Sequence, residues 1–136
     1  MGGSVRSDRI VTTSPSGGRT RPGATPMSRP AAERAALLLA EHPERQWRLE
    51  ELASLVHLSV SQLGRVFTRR FGEPPMRSLA RIRARRMAQL LAGTDLSVDE
   101  TMRRVGWHSR GHAARQFRAV VGVTPSEYRA MMREKS

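Results

Sequence analysis

The sequence predicts an all-α fold of about seven helices, set out as two similar lobes joined by one long helix. Three observations carry that expectation. Apolar residues recur at helical spacing, and no segment shows the alternation of a strand. Ser, Thr, Pro and Gly fall where helices should start and stop. One segment also repeats itself at an offset of 50 residues.

Residues 1–28 come first and are rich in Gly, Ser, Thr, Pro and Arg. Such a segment buries too little surface to offset its ordering entropy, so a disordered basic tail is expected. The ordered domain is expected over 29–136. Pro30 suits a first helical turn, where its missing N–H costs nothing. Ala31 to Ala40 are strong helix formers, and Pro43 stops them. Leu49, Leu52, Ala53 and Val56 sit at helical spacing and predict a second, short helix.

Ser59 reads as the N-cap of the third helix, with Gln62 as its capping-box partner. Leu63, Val66, Phe67 and Phe71 form the apolar side of that helix, and Gly72 ends it. Pro74-Pro75 open a long helix carrying Leu79, Ile82, Arg86, Leu90 and Leu91 and closed by Gly93. At ~1.5 Å per residue it spans about 27 Å. Ser97 and Glu100 form the next capping box, ahead of Val98, Thr101, Met102 and Val105. Gly106 permits a turn with positive φ. Ser109 starts a helix that runs to Val121 and stops at Gly122. Thr124-Pro125-Ser126-Glu127 opens the last helix, with a cap, Pro at N1 and Glu at N3.

The repeat gives these helices a common plan. Arg65 matches Arg115, Phe67 matches Phe117, Gly72 matches Gly122, Pro75 matches Pro125, and Leu63 falls opposite Ala113. In each copy an aromatic anchors the core and a glycine five residues later stops the helix. A short helix and a tight turn precede each copy, which is the helix-turn-helix outline. The first unit covers about 30–73, the linker helix about 74–93 and the second unit about 97–133. Phe67 and Phe117 are expected in the core, and Trp47 and Trp107 in packing rather than base stacking.

Charge narrows the function. Lys+Arg number 24 against 12 Asp+Glu, a formal +12. The tail holds four arginines and one aspartate, so +9 remains on the domain. A balance this basic points to a polyanion. No apolar run approaches the ~18 residues of a membrane span. A membrane-surface helix would need a free apolar face, and the helical core consumes the apolar stripes here. There is no cysteine, hence no disulfide, thiolate or zinc finger, which fits a cytoplasmic location. No catalytic constellation is visible, so no enzyme is expected. His108 and His112 are four apart but lack a third ligand, so no metal or other cofactor is expected.

Ser59-Val60-Ser61-Gln62-Leu63-Gly64-Arg65-Val66-Phe67 with Phe71-Gly72 resembles the first helix-turn-helix of the AraC/XylS family of bacterial transcription regulators. Leu90-Leu91, Val105-Gly106-Trp107, Arg115, Phe117, Val121-Gly122-Val123-Thr124-Pro125 and Tyr128-Arg129 resemble its second unit and closing signature. The resemblance covers about residues 32–133. It implies a seven-helix bilobed fold with two recognition helices in successive major-groove segments of double-stranded DNA. It also implies regulation of transcription near a promoter, with RNA polymerase as a contact. Ala113 departs from the family pattern, where a larger residue is usual, and this predicts looser packing in the second lobe.

Base reading needs donors and acceptors near the exposed N-terminus of a recognition helix. The expected readers are Ser61, Gln62 and Arg65 in the first unit and Arg110, His112 and Arg115 in the second. Arg65 and Arg115, at matched positions, also admit an internal salt bridge. Helix N-termini favour phosphate, which selects Ser59, Ser109 and Thr124. Arg69, Arg70 and Arg118 add phosphate contacts, while Arg83 and Arg86 also admit pairing with Glu. Many relatives carry a sensor or dimerisation domain, and residues 1–28 are too short and polar for one. A stand-alone or truncated monomer without a small-molecule effector pocket is therefore expected. The rival reading is a non-specific nucleic-acid-binding or nucleoid-associated protein.

Overall fold

The computed structural model describes residues 28–135, with side chains from Pro30. The tail expected over 1–28 lies outside the described residues except for Ser28. Among the described residues there are seven helices and no strand: α1 Ser28–Glu41, α2 Leu49–Leu55, α3 Val60–Phe71, α4 Pro75–Gly93, α5 Val98–Arg104, α6 Arg110–Val121 and α7 Pro125–Glu134.

The local signals work as their chemistry dictates. The Ser59 side chain accepts from the Gln62 amide while the Gln62 side chain accepts from the Ser59 amide, closing a capping box. Ser97 with Glu100 and Thr124 with Glu127 form the same device on α5 and α7. Gly72 (φ 81) and Gly122 (φ 102) end α3 and α6 in the left-handed conformation that a side chain disfavours.

Two separate cores follow. In the first, Ala31, Ala35 and Leu39 of α1 meet Leu52 and Val56, Leu63 and Phe67 of α3, and Leu79 of α4. In the second, Ala80, Ala84, Met87 and Leu91 of α4 meet Met102, Val105, Trp107, Ala113 and Phe117. The α4 helix thus serves both lobes. Its buried stripe differs from the expected one: Ile82 and Leu90 are half-buried and Arg86 is exposed. Ala80, Ala84 and Met87, which the expected stripe left out, are buried instead. Phe71 lies at the edge, 37% exposed, with its ring 4.7 Å from that of Phe67.

The two lobes fill their cores differently. Leu58 and Leu63 of the first correspond to Trp107 and Ala113 of the second. Trp107 and Ala113 are both 2% exposed and share one cluster. The second core is thus built with a large residue in the turn and a small one on the helix. From α7, Tyr128 meets Phe117 edge-on at 5.8 Å between ring centroids.

Arg129 locks the linker helix to the second lobe. It is 9% exposed and donates from Nε to the Leu91 carbonyl (3.2 Å), from Nη2 to that of Thr94 (3.2 Å), and from Nη1 to that of Leu96. Carbonyls at the end of α4 have no helical partner, and a buried cation satisfies them with favourable charge.

Candidate nucleic-acid interface

Helices α3 and α6 turn their apolar residues inward, which forces the rest outward. Ser61, Gln62, Arg65, Thr68 and Arg69 are exposed on α3; Arg110, Gly111, His112, Arg115 and Arg118 are exposed on α6. Gly64, Arg65, Thr68 and Arg69 line a shallow groove on α3. Thr68 was not among the expected contacts. It lies three residues beyond Arg65, and that helical spacing is the signal that finds it.

The matched arginines adopt matched geometry. Arg65 Nη1 donates to Ser61 Oγ at 2.9 Å, one turn back along α3. Arg115 likewise reaches back over Gly111, whose added Cβ would meet Arg115 Nη1 at 3.3 Å. Neither arginine has a carboxylate at ion-pair distance among the described residues. The alternative of an internal salt bridge therefore does not hold there. Arg110 Nε donates to Asp99 Oδ1 of α5 at 2.7 Å, with the two side chains 76% and 40% exposed. So open a pair contributes only ~0–1 kcal/mol, and it orients the guanidinium without committing it.

Of the expected phosphate contacts, Ser59 and Ser109 cap α3 and α6, and neither helix has an acidic residue in its first turn. Thr124 differs. The Glu127 carboxylate accepts from the Thr124 amide at 2.9 Å, and its pKa is held below the usual carboxylate value chiefly by that backbone hydrogen bond. An anion therefore already sits at the start of α7. Arg70 pairs with Glu33 of α1 at 3.3 Å and lies over the Phe71 ring. Arg83 and Arg86 do not pair with Glu; they donate to the carbonyls of Pro43, Arg45 and Ala40. Arg81 of α4 is the one that pairs with a carboxylate, donating two hydrogen bonds to Glu73 ahead of the helix (2.8 and 3.2 Å).

Charge is sorted by helix. Helices α3, α4 and α6 carry three, five and three arginines and no carboxylate. Trp47 and Trp107 are buried, as expected, and so unavailable for base stacking. A cleft of about 530 Å³ does open between the lobes, walled by Trp47, Met76, Trp107 and His112. The expectation of no small-molecule pocket took no account of it. Among the described residues no helix is long and apolar enough to cross a membrane.

Two exposed, carboxylate-free helices, each held by a short helix across a tight turn, define a tandem helix-turn-helix module. The sequence matches the family described as "Helix-turn-helix domain" over residues 52–131. It is 30% identical over 96 residues to the RCS-specific HTH-type transcriptional activator RclR of Escherichia coli, covering 71% of this chain and 34% of that protein. An uncharacterised HTH-type transcriptional regulator of Haemophilus influenzae matches at 30% over 95 residues, 70% of this chain and 32% of that one. The chain thus spans about a third of the length of these relatives. Among solved structures, the DNA-binding domain of AdpA, in complex with a target DNA, superposes with a TM-score of 0.73 at 30% identity, covering 77% of this chain and 95% of that one. An AraC-type DNA-binding domain regulator from Chromobacterium violaceum gives 0.69 at 28% identity, covering 80% and 97%. The chain belongs to the AraC/XylS family of helix-turn-helix proteins.

Proposed function

We propose that this chain binds double-stranded DNA sequence-specifically and regulates transcription, with α3 and α6 in successive major-groove segments. The observation that carries the reading is the pair of exposed, carboxylate-free helices presenting Arg65 and Arg115 at matched positions and in matched geometry. Arg is the side chain best suited to bidentate contact with guanine. Ser61, Gln62, Arg110 and His112 complete the base-reading set. Ser59, Ser109, Arg69, Arg70 and Arg118 hold phosphate. Thr124 is the weakest member of that group, because Glu127 fills its helix end.

Two units on one chain provide both contacts without a partner subunit, so the active form is a monomer. The family relationship supports action at promoters in the cytoplasm, with RNA polymerase as the second partner. Neither effector nor chemical step is needed for binding of this kind.

Substitution tests the assignment. Arg65→Ala should relax preference at a single base pair and cost ~1–3 kcal/mol, whereas Arg118→Ala should weaken all sequences alike and lower the salt slope by about 1. Competition binding over a salt series reads both. Equal, sequence-blind losses would instead support the non-specific alternative.

A further inference from the structure

We infer that a polar clasp of Gln46, Arg83 and Gly106 fixes the angle and distance between the two lobes, and so determines the spacing between the two boxes of the DNA site. The inference rests on the proposed DNA-binding function for its consequence, but not for its geometry.

The two cores share no residue, and α4 runs through both. A single helix leaves its flanking lobes free to pivot unless something else joins them. The loop between α1 and α2 does so. Arg83, midway along α4, donates from Nε to the Pro43 carbonyl at 2.8 Å and from Nη2 to that of Arg45 at 2.9 Å. From the same loop, Gln46 Nε2 donates to the Gly106 carbonyl at 2.9 Å, in the turn between α5 and α6. Loop, linker helix and second turn are thereby tied at one point.

Gly106 shows how tight that point is. A Cβ there would lie 2.7 Å from the Pro43 carbonyl oxygen and 2.9 Å from Arg83 Nε and Nη2. The φ of 105° is also one that side chains rarely adopt, so backbone and neighbours both call for glycine. The equivalent turn position in the first unit is His57, whose φ is 62°. The two turns even share hydrogen bonds: His57 N to Ser54 O and Leu58 N to Ala53 O correspond to Gly106 N to Arg103 O and Trp107 N to Met102 O. Beyond its wider φ, Gly106 differs from His57 in having the first-lobe loop packed against it. No carboxylate joins Arg83 at ion-pair distance among the described residues, and burial lowers its pKa, so its charge serves carbonyls. The cleft between Trp47 and Trp107 provides room for the lobes to rotate once the clasp is released.

One inserted base pair moves the second box by ~3.4 Å and turns it by about 34° around the duplex. A clasped pair of lobes cannot follow, while an unclasped pair can. The test uses duplexes carrying the two boxes with the spacer changed by one or two base pairs. The native protein should lose at least roughly tenfold in affinity per base pair, as for a mismatched site. Gln46→Ala combined with Arg83→Met should cut that penalty to about threefold or less while retaining both box preferences. An unchanged spacing penalty in the double variant overturns the inference.

A second measurement needs no DNA. The chain has no cysteine, so Thr68→Cys on α3 and Ala119→Cys on α6 give a unique labelled pair. The distance distribution between two spin labels should broaden in the clasp variant, and an equally narrow distribution overturns the inference. If the native protein selects no two-box site, the DNA reading fails while the label distances still decide the clasp. Should the double variant fail to fold, Gln46→Ala alone, which deletes one hydrogen bond at an exposed side chain, carries both measurements.

Discussion

Arg129 and Arg65 carry the same guanidinium to opposite purposes. Arg129 is buried against three carbonyls at the end of α4 and in the loop after it, whereas Arg65 lies in solvent across one turn of α3. Arg129→Ala should destabilise the fold by ~2–4 kcal/mol, since buried carbonyls lose charged donors. Arg129→Lys should recover little of this, because an ammonium cannot reproduce the planar fork. Chemical denaturation measures both, and Arg65→Ala should leave the midpoint nearly unchanged. Acid sensitivity also belongs to single residues. The Arg81 hydrogen bond lowers the pKa of Glu73, and the Thr124 backbone hydrogen bond lowers that of Glu127. A carboxylate whose folded pKa is depressed stabilises the fold above its unfolded value of ~4.3 and loses that contribution as pH falls through the folded one. Melting temperature should therefore be insensitive to these groups from pH 7 to 5 and fall below about pH 4, less steeply in a Glu73→Gln, Glu127→Gln variant.

Single helices were the most legible level of the sequence, because their signals are local. Ser59, Ser97 and Thr124 each cap a helix with the residue three positions on, and Gly72 and Gly122 end helices as their spacing predicts. Ser59→Ala should cost ~1 kcal/mol of stability. What the local signals missed was conformational strain at a residue with no special type. His57 adopts φ 62° in the first helix-turn-helix turn, where the second unit has glycine. Histidine visits this region more readily than most residues, yet at a cost. His57→Gly should thus be neutral or stabilising by up to ~1 kcal/mol, whereas Gly106→Ala should destabilise by more, since it meets both strain and the Pro43 carbonyl. Thermal melts of the two variants distinguish these outcomes.

Across the whole molecule the periodicity revealed two lobes and hid how they meet. Phe67 and Phe117 were legible as core anchors because each lies at the same place in a repeated pattern, and both are fully buried. Either Phe→Ala change should cost ~3–5 kcal/mol. The roles of Ala84 and Met87 in α4, and of Arg83 and Gln46 between lobes, depend on contacts 38 to 60 residues apart in sequence or on the approach of other helices, which spacing within one helix does not encode. The same holds for the interface. Its helices could be read from the sequence, but the pairing of Arg110 with Asp99 and of Arg70 with Glu33 could not. Both lobes should read bases in one asymmetric site. Selection of bound sequences from a random duplex library at near-physiological salt tests it most directly, because salt weakens non-specific phosphate binding. Convergence on two boxes about one helical turn apart is the predicted result. Failure to converge, with affinity that only falls steeply as salt rises, would contradict it.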